Sequence, residues 1–442
     1  MSFSALHKAV RPFKRIAMNP AAVEDRTSVF AIPDYRYFWI TKLASTTSQM
    51  ILVIVIGWMV YDIARETMPE REAAFLLGMV GLAQFLPLFV LSLVVGYIAD
   101  RVDRRYIVRG ALALEMLCAA GLGALELTGG ISIPALFVVA ALLGVGRAFA
   151  SPALSALAPN LVPVRMLPTA IAWNSIGWQV GAIGGPAMGG YLYAANPAAP
   201  LVVSAVMLTI SLIAMFLISR VPLPEAEATA NPLESVMNGL RYVRDNKVVL
   251  GAISLDLFAV LLGGVTALLP VYARDILAVG PEGLGHLRAA PAVGAAVVAL
   301  WLSRRPLARH VGIKMFLCVA IFGIAIVVFG LSRDLWLSLG ALGVLGAADM
   351  VSVYVRSSLI QIYTPDAMRG RVSSVSMLFI SASNELGEAR SGLTAAWFGP
   401  VEAVVIGGVG TIVVTALWAW RFPELRRADS FDVPGALKER ST

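Results

Sequence analysis

Long apolar runs alternate along the chain with short segments of charged residues, prolines and glycines. A helix needs about 20 apolar residues to cross a bilayer. Twelve runs reach that length, at residues 37–61, 73–99, 106–127, 132–158, 167–194, 199–219, 248–273, 283–303, 313–331, 335–362, 372–398 and 401–420. The charge-free stretch from Met166 to Ser219 is too long for one span, and Asn196-Pro197 divides it. The pattern predicts an all-α membrane protein with twelve transmembrane helices.

One connection, residues 221–247, is much longer than the others. It becomes amphipathic from Leu233 to Val243, which predicts a short surface helix. This linker separates two predicted six-helix bundles. The expected regions are a basic N-terminal segment (1–36), an N-terminal bundle (37–220), the linker (221–247), a C-terminal bundle (248–421) and a tail (422–442).

Composition supports the membrane assignment and sets the orientation. Hydrophobic residues make up 58% of the chain and charged residues 14%, against about 25% charged residues in a soluble domain. The net charge of +7 does not indicate nucleic-acid binding, because the basic residues lie at the ends of spans. Most of the 35 Lys and Arg residues fall on the side of the N-terminus. This bias predicts that both termini are cytoplasmic.

A regular set of charges lies between the second and third predicted spans. Gly96 precedes the Asp100-Arg101 pair by four residues, and Arg104 and Arg105 follow three residues after that pair. The spacing resembles the signature loop of the major facilitator superfamily, the twelve-helix secondary transporters. The resemblance implies a conformational latch whose arginines reach acids across the gap between the halves. The counterpart after the eighth span, Ser303 to Arg309, lacks the acidic residue.

Further motifs resemble one group within that superfamily. They are Gly239–Arg244, Leu269–Leu277, Gly280–Gly285, Thr364–Val372 and Ser383–Gly387, in this order. Together they are similar to the enterobactin-exporter group, which also includes macrolide and other drug effluxers. The resemblance implies proton-driven export of a small organic molecule, drug-like or siderophore-like, across a bacterial inner membrane.

The fifth predicted span carries a glycine-rich face. Its residues are Gly181, Gly185, Pro186, Gly189 and Gly190. Small residues permit close helix contact in membranes, and a proline inside a helix favours a kink. The spacing resembles the antiporter motif of the superfamily's exporters, which implies export rather than import.

Several ionisable residues fall inside predicted spans, where each costs at least ~2.5–3.5 kcal/mol and usually faces a cavity or a partner. Asp256 and Arg356 are predicted at similar depths, within pairing range. Glu385 and Glu388 are expected to hold helices together more than to contact substrate. The candidates for proton coupling are Asp256, Asp349, Arg356, Glu385 and Glu388.

The resemblance places Arg147, Asp256, Asp349 and Arg356 on the helices that line the central cavity in this superfamily. Arg147 is a candidate contact for an anionic substrate. Aromatic side chains suit planar or amphipathic molecules, and the candidates are Trp39, Trp58 and Trp173. Glu115 is expected to anchor the signature loop.

The sequence contains no catalytic, metal-binding or cofactor-binding pattern. Its three histidines have no cysteine or carboxylate partner at ligand spacing, and no phosphate-binding loop is present. We therefore expect a monomeric transporter, not an enzyme, whose partners are a small-molecule substrate, protons and the lipid bilayer. Three alternatives stay open: transport of a lysophospholipid or another amphiphile, uncoupled facilitated diffusion, and a receptor or scaffold that transports nothing.

Overall fold

A computed structural model describes residues 28–99, 102–219, 232–307 and 309–428. Within these ranges, the regular secondary structure is entirely helical. The predicted N-terminal segment up to residue 27, the residues Asp100 and Arg101, most of the linker and the tail after Ala428 lie outside the described residues.

The N-terminal half begins with a short 3₁₀ turn, Val29–Ala31. Its helices are α1 (Pro33–Thr67), α2 (Glu70–Ala99), α3 (Arg104–Leu127), α4 (Ile133–Leu157), α5 (Leu167–Ala195) and α6 (Ala199–Leu217). Helix α7 (Pro232–Asp245) covers the amphipathic part of the linker.

The C-terminal half follows directly. Its helices are α8 (Lys247–Leu262), α9 (Gly280–Arg304), α10 (Val311–Leu331), α11 (Leu335–Tyr363), α12 (Asp366–Phe398), α13 (Pro400–Arg421) and the short α14 (Pro423–Arg426). Beyond α8 the chain continues as a 3₁₀ turn, Val265–Leu268, and then a π-turn, Tyr272–Ile276.

Local chemistry explains several helix ends. The Asn246 side chain accepts hydrogen bonds from the backbone N–H groups of Val248 and Val249, which satisfies donors at the start of α8. The Asp334 carboxylate does the same for Leu337 at the start of α11. The junction between α12 and α13 is a single residue, Gly399, with φ of 110°. Only glycine adopts that backbone conformation without strain.

Ten of the described helical segments are long and apolar enough to cross a membrane. Helices α5 and α12, of 29 and 33 residues, are also long enough, and they lie where the fifth and eleventh spans are predicted. Their hydropathy is lower than that of the other ten, because α5 is rich in glycine and polar residues and α12 carries several charged residues. The multi-pass membrane fold is therefore established, and the count of twelve spans stays a prediction.

The two halves have matching internal packing. In the N-terminal half, α3 packs against α4 and α6; in the C-terminal half, the corresponding α10 packs against α11 and α13. The halves meet along two helix pairs, α2 with α12 and α5 with α9. Gly78 and Gly392 allow the first pair to approach, since a Cβ on Gly78 would lie 2.8 Å from the Gly392 Cα. This arrangement leaves a central space between the halves.

Candidate functional site

A cavity with a volume of ≈ 470 Å³ lies between the two halves. Six helices contribute to its wall: α1, α2, α4 and α5 from one half, and α9 and α12 from the other. Most of the residues that line it are polar or charged, namely Lys42, Ser45, Thr46, Gln49, Gln84, Arg147, Ser151, Ser155, Arg288, Ser381, Asn384, Glu385 and Glu388, and Trp178 is among the others.

One ion pair crosses this cavity from half to half. The Arg147 Nη1 atom on α4 lies 3.7 Å from the Glu385 Oε1 atom on α12. The same nitrogen donates a hydrogen bond to the Gln84 Oε1 atom at 3.2 Å. Arg147 is therefore oriented by α2 and directed at a carboxylate of the opposite half, which confirms its placement in the cavity.

A second charged pair lies within the C-terminal half. The Arg288 Nη1 atom on α9 lies 3.9 Å from the Glu388 Oε1 atom on α12. The Thr266 hydroxyl donates to the same carboxylate oxygen at 2.9 Å. Thr266 reaches this position because the chain breaks after α8, where Gly264 packs against the backbone of Gly387. The expectation that Glu385 and Glu388 mainly hold helices together is too narrow, since both also line the cavity.

A fully buried carboxylate, Glu115 on α3, stands behind the cavity wall. Its two oxygens accept hydrogen bonds from the Gln49 Nε2 atom at 3.0 and 3.1 Å. Gly146 makes room for it, since a Cβ there would lie 2.8 Å from the Glu115 Cγ. The prediction that Glu115 anchors the signature loop is wrong, because the residue lies inside the bundle against α1 and α4.

Asp256, Asp349 and Arg356 form a separate polar cluster inside the C-terminal half. The Arg356 guanidinium pairs with the Asp256 carboxylate, and both side chains are buried. This pairing confirms the sequence prediction. Asp349 and Asp256 face a pocket of only ≈ 10 Å³ between α8, α10 and α11. None of the three lines the central cavity, so their predicted place in its wall is wrong.

The three predicted tryptophans also lie outside the central cavity. Trp39 and Trp173 pack edge to face, with ring centroids 6.3 Å apart, and Phe30 contacts both. The Trp39 indole N–H donates to the Trp173 carbonyl oxygen at 3.1 Å, which fixes α1 against α5. Trp58 lines a small pocket beside Gly189 and Gly190. These rings therefore serve the packing of α1 against α5.

The glycine-rich face of α5 packs closely against α1. A Cβ on Gly181 would lie 2.8 Å from the Thr46 Cγ2, and one on Gly189 would lie 2.8 Å from the Ile54 Cγ2. Gly190 faces the other way and meets the backbone of Pro281 and Gly285 on α9. Pro186 is buried inside the helix. The predicted motif thus places α5 between α1 and the opposite half.

Three of the five predicted signature-loop residues, Gly96, Arg104 and Arg105, lie among the described residues. Arg104 donates to the Ala156 carbonyl oxygen at 3.0 Å, and Arg105 donates to the Ile218 carbonyl oxygen at 3.0 Å. Arg105 also binds the Asp103 carboxylate, and these hydrogen bonds hold the pKa of that carboxyl below its usual range. In this conformation both arginines bind within their own half, so they do not reach across the gap. Gly96 lies in the last turn of α2.

Charged contacts between the halves close one end of the bundle. The Arg65 Nε atom lies 2.9 Å from the Asp275 Oδ2 atom, and the Arg274 Nη1 atom lies 3.2 Å from the Asp62 Oδ1 atom. The Tyr61 hydroxyl also donates to Asp275. We call these five residues the closed-end contacts. The cavity extends toward the opposite end, where Ser151, Ser155 and Trp178 in its wall are exposed.

Three charged or aromatic cavity residues are absent from the sequence prediction: Lys42, Trp178 and Arg288. Arg288 lies within the eighth predicted span and within α9, but its position near one end of the span does not indicate that it lines the cavity. Lys42 could have been predicted, because a lysine inside the first apolar run indicates polar surroundings such as a cavity. Nothing in the fifth run distinguishes Trp178 from Trp173. Among the described residues, no group of His, Cys, Asp and Glu is placed to hold a metal ion.

Two helical halves around a polar cavity, with charged groups at membrane depth, define a secondary membrane transporter. The chain matches the transmembrane secretion effector family of the major facilitator superfamily over residues 26–437, and it belongs to that family. It is a transporter and not an enzyme.

Relatives and solved structures agree with this assignment. The enterobactin exporter EntS of Shigella boydii is 28% identical over 345 residues, covering 77% of this chain and 82% of the relative. EntS of Escherichia coli matches equally. An inward-facing bacterial homologue of the lysosomal transporter Spinster superposes with a TM-score of 0.68 at 15% identity, covering 89% of this chain and 98% of that chain. A D-xylose–proton symporter gives a TM-score of 0.68 at 14% identity, covering 91% and 99%.

Proposed function

We propose that this protein exports a small polar organic molecule across a bacterial inner membrane, in exchange for protons. The Arg147–Glu385 ion pair is the observation that carries the proposal. It joins the two halves inside the cavity, so a change in its protonation acts on substrate binding and on the contact between the halves together. Export follows the relatives, whose name states that they export enterobactin.

Alternating access requires that one end of the bundle is closed while the other is open. The closed-end contacts lie at the end of α1 that the charge bias predicts to be outside the cell. On that orientation the cavity opens to the cytoplasm, with both termini on the same side. Substrate enters from the cytoplasm, the closed-end contacts then separate, and the substrate leaves outward.

Protons act in this scheme on carboxylates that lie within the cavity. An ionised Glu385 attracts Arg147, and a protonated Glu385 does so far less. A proton that arrives from outside therefore weakens the contact across the cavity, and its release to the cytoplasm restores that contact. Glu388 is the next candidate, and Asp349 with the Asp256–Arg356 pair is the alternative site for the coupling proton.

The polar lining favours a substrate with hydrogen-bonding groups over an amphiphile. Hydroxyl and amide side chains alternate with charges on both walls, and Trp178 is the one aromatic residue among those that line the cavity. A lysophospholipid needs a continuous apolar surface for its acyl chain, and the apolar lining residues are outnumbered by polar ones. The apolar ones are Met50, Val53, Leu88, Ala150, Leu154 and Trp178.

Accumulation in cells tests export directly. Cells that lack their own exporters and express this chain should retain less enterobactin, or less of a candidate drug, than cells with an empty vector. A matched Glu385→Gln variant at equal membrane abundance should lose the difference. Equal retention by cells with and without the protein, across siderophores and drugs, would contradict export.

A further inference from the structure

Basic residues converge on one corner of the C-terminal half, at the end of the bundle opposite the closed-end contacts. They come from the end of α9, the following loop, the start of α10, and α14 with its flanks. We call them the basic corner: Arg304, Arg305, Arg309, Lys314, Arg421, Arg426 and Arg427.

Buried contacts join these segments into one surface. Leu307 in the loop, Val311 on α10, and Leu425 and Ala428 around α14 belong to the same apolar cluster. The Gly312 N–H donates to the Ala428 carbonyl oxygen at 3.0 Å. Because these four apolar residues pack together, the arginines and the lysine next to them in the sequence are held close to one another.

Within the described part of the chain, the charges of the basic corner are not satisfied by protein groups. No side chain of Arg304, Arg305, Arg309, Lys314, Arg426 or Arg427 has a described hydrogen-bond acceptor or acidic partner. Glu424 is the one acid in residues 304–314 and 421–428, and it binds the Lys247 Nζ atom at 3.3 Å. Its own backbone N–H and Lys247 both lower the pKa of Glu424, so it stays ionised and engaged there.

The corresponding place in the N-terminal half is different. There, Arg104, Arg105 and Arg109 donate to the carbonyl oxygens of Ala156, Ile218 and Met215, respectively. These three arginines are therefore already hydrogen-bonded to backbone carbonyl groups of their own half. The basic corner presents similar residues to an external anion instead.

The apolar surface beside the basic corner indicates what kind of anion fits. Leu300 and Trp301 on α9 are 56% and 49% exposed, and Ile313 and Leu317 on α10 are 51% and 58% exposed. These side chains are exposed on two helices that are long and apolar enough to cross a membrane, next to the segments that carry the cations. A free inorganic anion makes no favourable contact with these apolar side chains. A phospholipid can place its phosphate against the cations and its acyl chains against the apolar side chains.

We propose that the basic corner is a binding site for an anionic phospholipid of the cytoplasmic leaflet, such as phosphatidylglycerol. The site is independent of the transport cavity. Lipid bound here bridges α9, α10 and α14, and it holds together the segments that end on this face of the C-terminal half.

Native mass spectrometry of the full-length protein with added phosphatidylglycerol tests the proposal. The triple variant Arg305→Gln, Arg309→Gln, Arg426→Gln should lose affinity about fivefold for each charge removed, the equivalent of ~1 kcal/mol per basic residue near an anionic surface. The matched control Arg36→Gln, Arg241→Gln, Arg244→Gln removes the same charge from exposed residues elsewhere, and it should bind as the unaltered protein does. Phosphatidylcholine should be retained weakly by all three proteins.

Two further arms keep the outcome decisive. The variant Arg305→Lys, Arg309→Lys, Arg426→Lys keeps the charge, so it should keep most of the affinity even if the glutamine variant is poorly folded. Excess inorganic phosphate should not displace the lipid. Equal phosphatidylglycerol retention by the triple variant and its control, or ready displacement by inorganic phosphate, would overturn the proposal.

Discussion

At the scale of single residues, Arg147 has the position from which coupling can be explained. It binds Gln84 in its own half and faces Glu385 in the other half. Arg147 faces the cavity, whereas its neighbour Gly146 faces the interior of the N-terminal half and packs on the buried Glu115. A change in charge on Glu385 acts directly on the Arg147 guanidinium, which connects it to the N-terminal half.

The Glu385→Gln variant should lose proton-driven accumulation of substrate but keep substrate exchange. The amide cannot release a proton, so substrate accumulation in vesicles with a pH gradient should fall to the level of protein-free vesicles. Exchange of labelled for unlabelled substrate at equal concentrations should continue, because the cavity persists. The Asp349→Asn variant provides the comparison. If it loses accumulation while Glu385→Gln retains it, the cluster inside the C-terminal half carries the proton instead.

At the scale of the helix, α5 depends on its glycines for close contact with α1. A Cβ on Gly185 would lie 2.6 Å from the Met50 Cβ and 2.9 Å from the Thr47 carbonyl oxygen. Neither group moves without displacing α1. Gly184, one residue earlier, faces open space.

Two variants test this contact. Gly185→Leu places the new side chain against α1, and Gly184→Leu is the control, because the same substitution there faces open space. Overpacking costs roughly 1–3 kcal/mol, so Gly185→Leu should lower the thermal midpoint and abolish export. Gly184→Leu should keep the midpoint and most of the transport. Normal export by Gly185→Leu would show that the glycines are merely tolerated.

The closed-end contacts are a second device at this scale. The π-turn Tyr272–Ile276 brings Arg274 and Asp275 to Asp62 and Arg65 of α1. Their loss should favour the state that is open at the end that these contacts close here. The pairs are partly exposed, so each contributes modestly, about 0.2–1 kcal/mol by analogy with surface pairs.

A reporter cysteine in place of Ser151, which lines the cavity, measures that shift. With Asp275→Asn, an impermeant maleimide added outside should label it faster than in the parent protein. The swapped pair Arg65→Asp with Asp275→Arg should return labelling toward the parent rate. Unchanged labelling in the Asp275→Asn protein would show that the closed-end contacts do not hold the gate.

At the scale of the whole molecule, hydropathy and family motifs predicted the helical membrane fold, because apolar length is a property of each segment alone. The pairing of Asp256 with Arg356 was also predictable, since depth along a helix follows from residue number. The set of residues that line the cavity was not predictable from the sequence. In helices that are apolar on all sides, periodicity does not indicate the face that meets the other half, so Arg288 and Trp178 were missed and Trp39 was misplaced.

The most direct test of proton-driven export uses purified protein in liposomes, oriented with the cytoplasmic end outward. Labelled enterobactin, or a drug identified in the cell assay, is offered outside while the lumen is acidic. We predict concentrative uptake that requires the pH gradient, collapses when a protonophore is added, and is absent with Glu385→Gln. Uptake that merely equalises the concentrations, at the same rate with and without the gradient, would contradict coupled export and indicate facilitated diffusion.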